Sequence, residues 1–163
     1  MGKVHSERIA ALRGVMSSNG WDAVVITGSD PHSSEYQAPR WKQVEWLTGF
    51  TGEAGDVVIT MDHAGLWTDS RYFIQALAQL EGTDVELHKT RVPDAVGIPQ
   101  WLAEKASVVA LDGLCWNVGF VKGLQEELDR VLTEAIEEQE EDGEEYEAEA
   151  VFAALDKKYF GKK

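Results

Sequence analysis

Val57-Val58-Ile59-Thr60-Met61-Asp62-His63-Ala64-Gly65-Leu66-Trp67-Thr68 is the stretch on which the fold turns. Two short β-rich runs, Val57 to Thr60 and Gly65 to Thr68, flank a turn at Asp62-His63, and that pattern predicts a β-hairpin. Asp69 follows as a candidate helix cap, and Phe73, Ala76, Leu77 and Leu80 then make an apolar stripe that stops before Gly82. With a further strand expected over Val85 to His88, strand and helix already alternate.

The alternation extends outward on both sides. Upstream, Ile9, Leu12 and Met16 recur at helical spacing and predict an amphipathic helix from Ser6 to Ser18, stopped by Gly20. Ala23-Val24-Val25-Ile26 reads as a buried strand that runs into the loop Thr27-Gly28-Ser29-Asp30-Pro31. Trp41 to Leu47 is a short helix ahead of a glycine-rich loop. Downstream the pattern predicts a helix over Ile98 to Lys105, a strand over Ser107 to Leu111, and a longer helix from Asn117 carrying Leu124, Leu128, Val131 and Leu132. The expectation is a single α/β domain over residues 1–134, a mixed β-sheet flanked by helices on both faces. Residues 135–163 read differently: Glu137 to Glu149 is dominated by carboxylates, giving an acidic connector, and Val151, Phe152, Leu155 and Tyr159 return to helical spacing as a C-terminal helix.

The 163 residues, 44% of them apolar, are enough for one ordinary core. A net charge of -14 disfavours nucleic acid and anionic membrane as partners, because a polyanion gains no counterion release against another. One cysteine, Cys115, cannot form an internal disulfide, and with four scattered histidines it supplies no thiolate zinc site. A small core thiol is the preferred reading of Cys115 over a nucleophile, since no nearby histidine supports it. Met1 to Arg13 has no secretory apolar run, and no segment reaches the roughly 18 apolar residues of a membrane helix. A reducing, cytoplasmic location is expected.

Four features are candidates for function. Asp30-Pro31-His32-Ser33-Ser34-Glu35-Tyr36 is the densest polar cluster; Asp30, His32 and Glu35 are metal-capable types, but turn and cap hydrogen bonds explain the same residues more simply. The loop Gly49-Phe50-Thr51-Gly52-Glu53-Ala54-Gly55 lacks phosphate-loop spacing and a following lysine, and Glu53 and Asp56 would repel an anion, so a tight structural loop is preferred. Arg71 falls opposite the apolar stripe on a helical projection, with its guanidinium outward, where it can take a carboxylate or pair with surface acids. Of six tryptophans, Trp41 and Trp46, beside polar loops, are the best candidates for an interface.

In order and spacing, Leu12-Arg13, Trp21-Asp22-Ala23, Asp30 to Tyr36, Gly49 to Gly55 and Leu66-Trp67-Thr68-Asp69-Ser70-Arg71-Tyr72-Phe73-Ile74-Gln75-Ala76 resemble the amino-terminal domain of the creatinase and aminopeptidase P family, the long Xaa-Pro aminopeptidases in particular. The resemblance implies an α/β domain with a mixed sheet. It also implies a parent metallopeptidase, a hydrolase whose separate pita-bread domain binds two metal ions, usually manganese, through two Asp, one His and two Glu, and cleaves the bond before a proline at the second position. None of the 163 residues matches that domain, so the chain alone is expected to be inactive and to hold no catalytic metal. By resemblance Arg71 reaches toward the bound peptide, and the domain caps the substrate cleft and builds homo-oligomer contacts. Two departures are Glu53, where the family has a small residue, and the acidic stretch past Leu132. Two rivals stand beside this reading: an independent protein-interaction module using the tryptophan-rich face and terminal helix, and a small metal hydrolase built on Asp30, His32 and Glu35.

Overall fold

The computed structural model describes residues 2–141. Helix α1 spans Gly2–Asn19, strand β1 Ala23–Thr27, a 3-10 turn Pro39–Trp41, helix α2 Gln43–Thr48, β2 Asp56–Thr60 and β3 Ala64–Thr68. Helix α3 covers Phe73–Leu80, β4 Glu86–Lys89, α4 Ile98–Ala103, β5 Val109–Leu111 and α5 Val118–Glu141. The strands form one sheet in the order β4-β3-β2-β1-β5. Pairings β1–β2 and β2–β3 are antiparallel, whereas β3–β4 and β1–β5 are parallel. Four strands therefore point one way and β2 the other, which makes the sheet mixed.

Period-two alternation divides the core between two faces. Val57, Ile59 and Leu66 face α1, α2 and α3, packing with Ile9, Met16, Leu47, Phe50, Ala76 and Leu80. Val25, Val58 and Trp67 face α4 and α5, packing with Ile98, Leu102 and Leu124. Helices thus cover both faces, as the alternation of elements predicts. Each fully buried Leu or Ile stabilises this sandwich by about 1.5–3 kcal/mol over its exposed form.

Local chemistry sets the joints. Gly20, at φ 68°, ends α1, and Trp21 N–H donates to Met16 O at 3.0 Å, closing a left-handed helix stop. Asp22 accepts from the backbone N–H of Ser107 at 3.0 Å and of Val108 at 2.8 Å, and so guides the approach to β5 alongside β1.

Three expectations change. Asp69 does not cap α3: the helix begins at Phe73 with Tyr72 as its cap residue and no side-chain cap bond, and the Asp69 carboxylate turns to Arg71 instead. Arg71 therefore sits in the turn before α3, not on it. The apolar stripe of α3 also differs, because Ala76 and Leu80 are buried but Leu77 is 58% exposed. Finally, α5 runs through residue 134 to Glu141, across the expected start of the acidic connector. The terminal helix expected over Val151 to Tyr159 lies outside the described residues.

Candidate functional site

The carboxyl ends of β1 and β3 and the amino end of β2 meet at one edge of the sheet, the edge at which open α/β sheets place their ligands. Three segments cross there: the loop after β1, the glycine-rich loop before β2 and the turn after β3.

In the loop after β1, Asp30 is buried at its root, and its Oδ1 accepts the N–H of His32 and of Ser34, both at 2.9 Å. The two bonds bracket Ser33, held at φ 51° in the left-handed region. These donors, that of Ser34 first, hold the Asp30 carboxyl below its ordinary value. His32, Glu35 and Tyr36 are exposed on the loop, and Tyr36 is 83% exposed. Asp30 is thus occupied with loop geometry, and its carboxylate, His32 and Glu35 do not gather as a ligand set. Among the described residues the side chains that do gather in that way are His63, Glu86 and His88, from the β2–β3 turn and β4.

The glycine-rich loop is a packing device. Gly49, at φ 80°, terminates α2, while a side chain on Gly52 would run into the buried Phe50 ring and come within 2.8 Å of Tyr72 Cδ1. Helix α3 anchors the loop through Thr51, whose N–H donates to Gln79 Oε1 at 3.0 Å and whose hydroxyl accepts from Gln75 and Gln79. Between this loop and the loop after β1 lies a cavity of about 220 Å³ lined by Ser34, Tyr36, Trp41, Glu45, Phe50 and Glu53 among others. Trp41 is half-buried in its wall, whereas Trp46, 56% exposed, stands on the surface beneath the Arg8 guanidinium, 4.4 Å from its ring.

In the turn after β3, Arg71 Nε donates to Asp69 Oδ1 at 2.9 Å and Nη2 to Oδ2 at 2.7 Å. Arg71 N–H also donates to Asp69 Oδ1, at 3.1 Å. Asp69 is lowered to about 2, chiefly by the hydrogen bond from the guanidinium. The arginine side chain stays 66% exposed against 11% for the aspartate. A guanidinium carries five donors. Among the described residues Nη1 has no acceptor, so one edge of the fork is open. The Glu53 carboxylate adds to the field that favours its charge. Cys115, in the segment after β5, has its thiol raised first by burial and then by Asp112 and Asp30, the state of an inert thiol.

A model of the Creatinase/Prolidase N-terminal domain matches residues 8–142. Xaa-Pro aminopeptidase 1 of Dictyostelium discoideum is 36% identical over 129 residues, covering 77% of this chain and 20% of that protein. Xaa-Pro aminopeptidase 2 of Mus musculus is 48% identical over 82 residues, covering 50% of this chain and 12% of its own length. The chain spans about one fifth or less of the curated relatives it matches. Among solved structures, the X-prolyl aminopeptidase of Caenorhabditis elegans, described as a cytosolic enzyme with a di-nuclear active site, superposes with TM-score 0.71 at 30% identity over 78% of this chain and 23% of that one. The N-terminal domain of a metallopeptidase from Corynebacterium diphtheriae shares the fold, with TM-score 0.54 at 20% identity over 76% of this chain and 87% of that one. No described helix is long and apolar enough to cross a membrane. The five-stranded mixed sheet, its helical layers and the matched span agree, and the chain belongs to the Creatinase/Prolidase N-terminal domain family.

Proposed function

We propose that this chain is the non-catalytic amino-terminal domain of a metal-dependent, cytoplasmic Xaa-Pro aminopeptidase, and that Arg71 is its contact to peptide substrate. The observation that carries the reading is the guanidinium of Arg71, fixed on one edge by Asp69 and open to solvent on the other. A fork held in this way donates to a peptide carbonyl or carboxylate with little ordering cost. The residues of Asp30 to Tyr36, with Trp41, form the neighbouring wall that caps the substrate cleft. In this reading residues 1–134 are the domain and 135–163 the connection beyond it, with α5 carrying the chain from one into the other.

The two metal ions, manganese in this proposal, do not fit the residues described. A set of two Asp, one His and two Glu does not gather among them, and the one cluster that does is of different composition. No hydrolytic step is therefore assigned to this chain. Purified chain supplied with manganese and a peptide bearing proline at the second position should give no cleavage above background; chelator-sensitive turnover would overturn the proposal.

Homo-oligomer contact is the second part of the proposal, and an independent interaction module is the rival. The first draws on the exposed apolar side chains of α3, Ile74 at 87% and Leu77 at 58% exposure, which lie three residues apart on one side of the helix, and the rival on the tryptophan-rich face and terminal helix. Mass measurement in solution separates self-association from capture of another protein, and Leu77→Glu should return a dimer to monomer.

A further inference from the structure

Sheet parity brings two distant histidines together. Strands β3 and β4 are parallel, with Gly65 beside Glu86 and Trp67 beside His88. Side chains two residues apart leave a strand on the same face. Glu86 and His88 therefore share the α4 face with Trp67, and His63, two residues before Gly65, joins them from the hairpin turn. Each of His63, Glu86 and His88 offers one ligand atom, all within 4.8 Å of one another. His63 Nε2 and His88 Nε2 are 3.1 Å apart. A tetrahedral ion with metal–nitrogen bonds of about 2.0–2.1 Å holds two imidazole nitrogens roughly 3.3 Å apart. The pair thus stands within a few tenths of an ångström of the spacing of two ligands.

The surroundings hold that arrangement. His88 stacks on Trp67 with centroids 3.8 Å apart and planes 5° from parallel, and Trp101 lies 4.9 Å from the His63 ring. Trp67 is itself fixed by its Nε1–H, which donates to Val96 O at 3.1 Å. Gly65 makes the room: a Cβ there would stand 2.8 Å from His63 Nε2 and 2.8 Å from His88 Cδ2. Glycine inside a strand weakens it, and close approach of other groups is the usual reason for its presence. The cluster remains open to solvent, with the His63 side chain 23% and Glu86 68% exposed, and Glu86 Oε2 lies 3.8 Å from His63 Nδ1. Burial lowers both imidazoles below their ordinary value, which favours the neutral form that ligates.

We propose that His63, His88 and Glu86 form a binding site for a zinc-class divalent transition ion, with two imidazole nitrogens and one carboxylate oxygen as protein ligands and water in the fourth position. The ion ties edge strand β4 to β3 and to the hairpin turn. None of its three ligands belongs to the loops around Arg71, so it is independent of the peptide-contact reading.

The competing explanation of the 3.1 Å contact is a hydrogen bond between two neutral imidazoles. Calorimetric titration of the metal-free 163-residue chain with zinc separates the two. One ion per chain is expected, with cobalt(II) in its place giving the intense ligand-field absorption of a four-coordinate site. His63→Ala and His88→Ala should each weaken zinc binding at least about tenfold, and Glu86→Gln should weaken it measurably. NMR of the imidazole nitrogens needs no variant and decides the matter even if His88→Ala does not fold: zinc should shift His63 and His88 and leave His5 and His32 in place. Absence of binding at millimolar zinc, unchanged affinity in both alanine variants, or shifts confined to His5 or His32 would each leave only an imidazole hydrogen bond and overturn the proposal.

Discussion

Asp69 and Arg71 are joined at two points, Nε to Oδ1 at 2.9 Å and Nη2 to Oδ2 at 2.7 Å, across a turn of only two residues. The pair holds the Asp69 carboxyl at about 2, against 3.8 for the free group. A carboxylate lowered on folding contributes stability that is complete above its unfolded value and is lost as pH falls toward the folded one. Denaturant unfolding should therefore show an Asp69→Asn variant less stable than the parent above about pH 4, with the gap closing toward about pH 2. A gap that is constant across this range would sink the assignment.

The open edge of Arg71 carries a second expectation. In the longer enzyme that this domain is proposed to serve, Arg71→Ala should raise KM for an Xaa-Pro peptide roughly 10- to 100-fold, the worth of one hydrogen bond to a charged group. Arg71→Lys should recover only part of it, because an ammonium cannot hold Asp69 at two points and a peptide as well. An unchanged KM in both variants would remove Arg71 from the substrate surface.

Asp56 behaves in the opposite sense to Asp69. Burial raises its carboxyl above 3.8, although Thr27 and the N–H of Gly28, 3.2 Å from Oδ1, partly oppose this. A raised carboxyl contributes stability below its unfolded value that is lost as pH rises through the folded one. Asp56→Asn keeps the acceptor and removes the charge, so the variant should lose less stability than the parent as pH rises from about 4 to neutrality. Parallel stability curves for the two proteins would count against this account.

Strand β3, helix α3 and the loop it anchors give a packing contrast. Leu66→Ala, at a site with no exposure, should cost about 2–5 kcal/mol, whereas Leu77→Ala, at 58% exposure, should leave the monomer within about 0.5 kcal/mol of the parent. Gly52→Ala should cost about 1–3 kcal/mol, since its Cβ meets the buried Phe50 ring. Urea midpoints compared at fixed m-value would check all three.

Much of the fold was legible because its signals are local. The hairpin of Val57 to Thr68, the strand over Ala23 to Ile26 and the Gly20 stop each lie within a few residues, and all appear in the structure. The resemblance carried by Leu66 to Ala76 was legible for the same reason, and the matched family agrees with it. A carboxylate before an apolar stripe has two nearby uses, and at Asp69 the guanidinium two residues on outcompetes the helix end. Spacing alone points Leu77 inward, but an eight-residue helix that leans on the sheet through Ala76 and Leu80 has no second layer to receive it. The His63–His88 contact was hidden for a different reason. It depends on the parallel register of β3 and β4, which is set through the intervening helix, and Gly65 inside a strand was its only local mark.

The lengths of the outermost strands have a bearing on how this protein behaves in concentrated solution. One margin of the sheet is the four-residue β4, whose Glu86 and Lys89 are exposed, and the other is the three-residue β5. A margin so short offers only a few unpaired backbone groups, and charged side chains on it oppose the stacking of a second molecule strand against strand. Contacts with other chains must then be made by side chains on the helices and loops, where they can be specific and reversible, while the backbone gives an aggregate no template from which to grow.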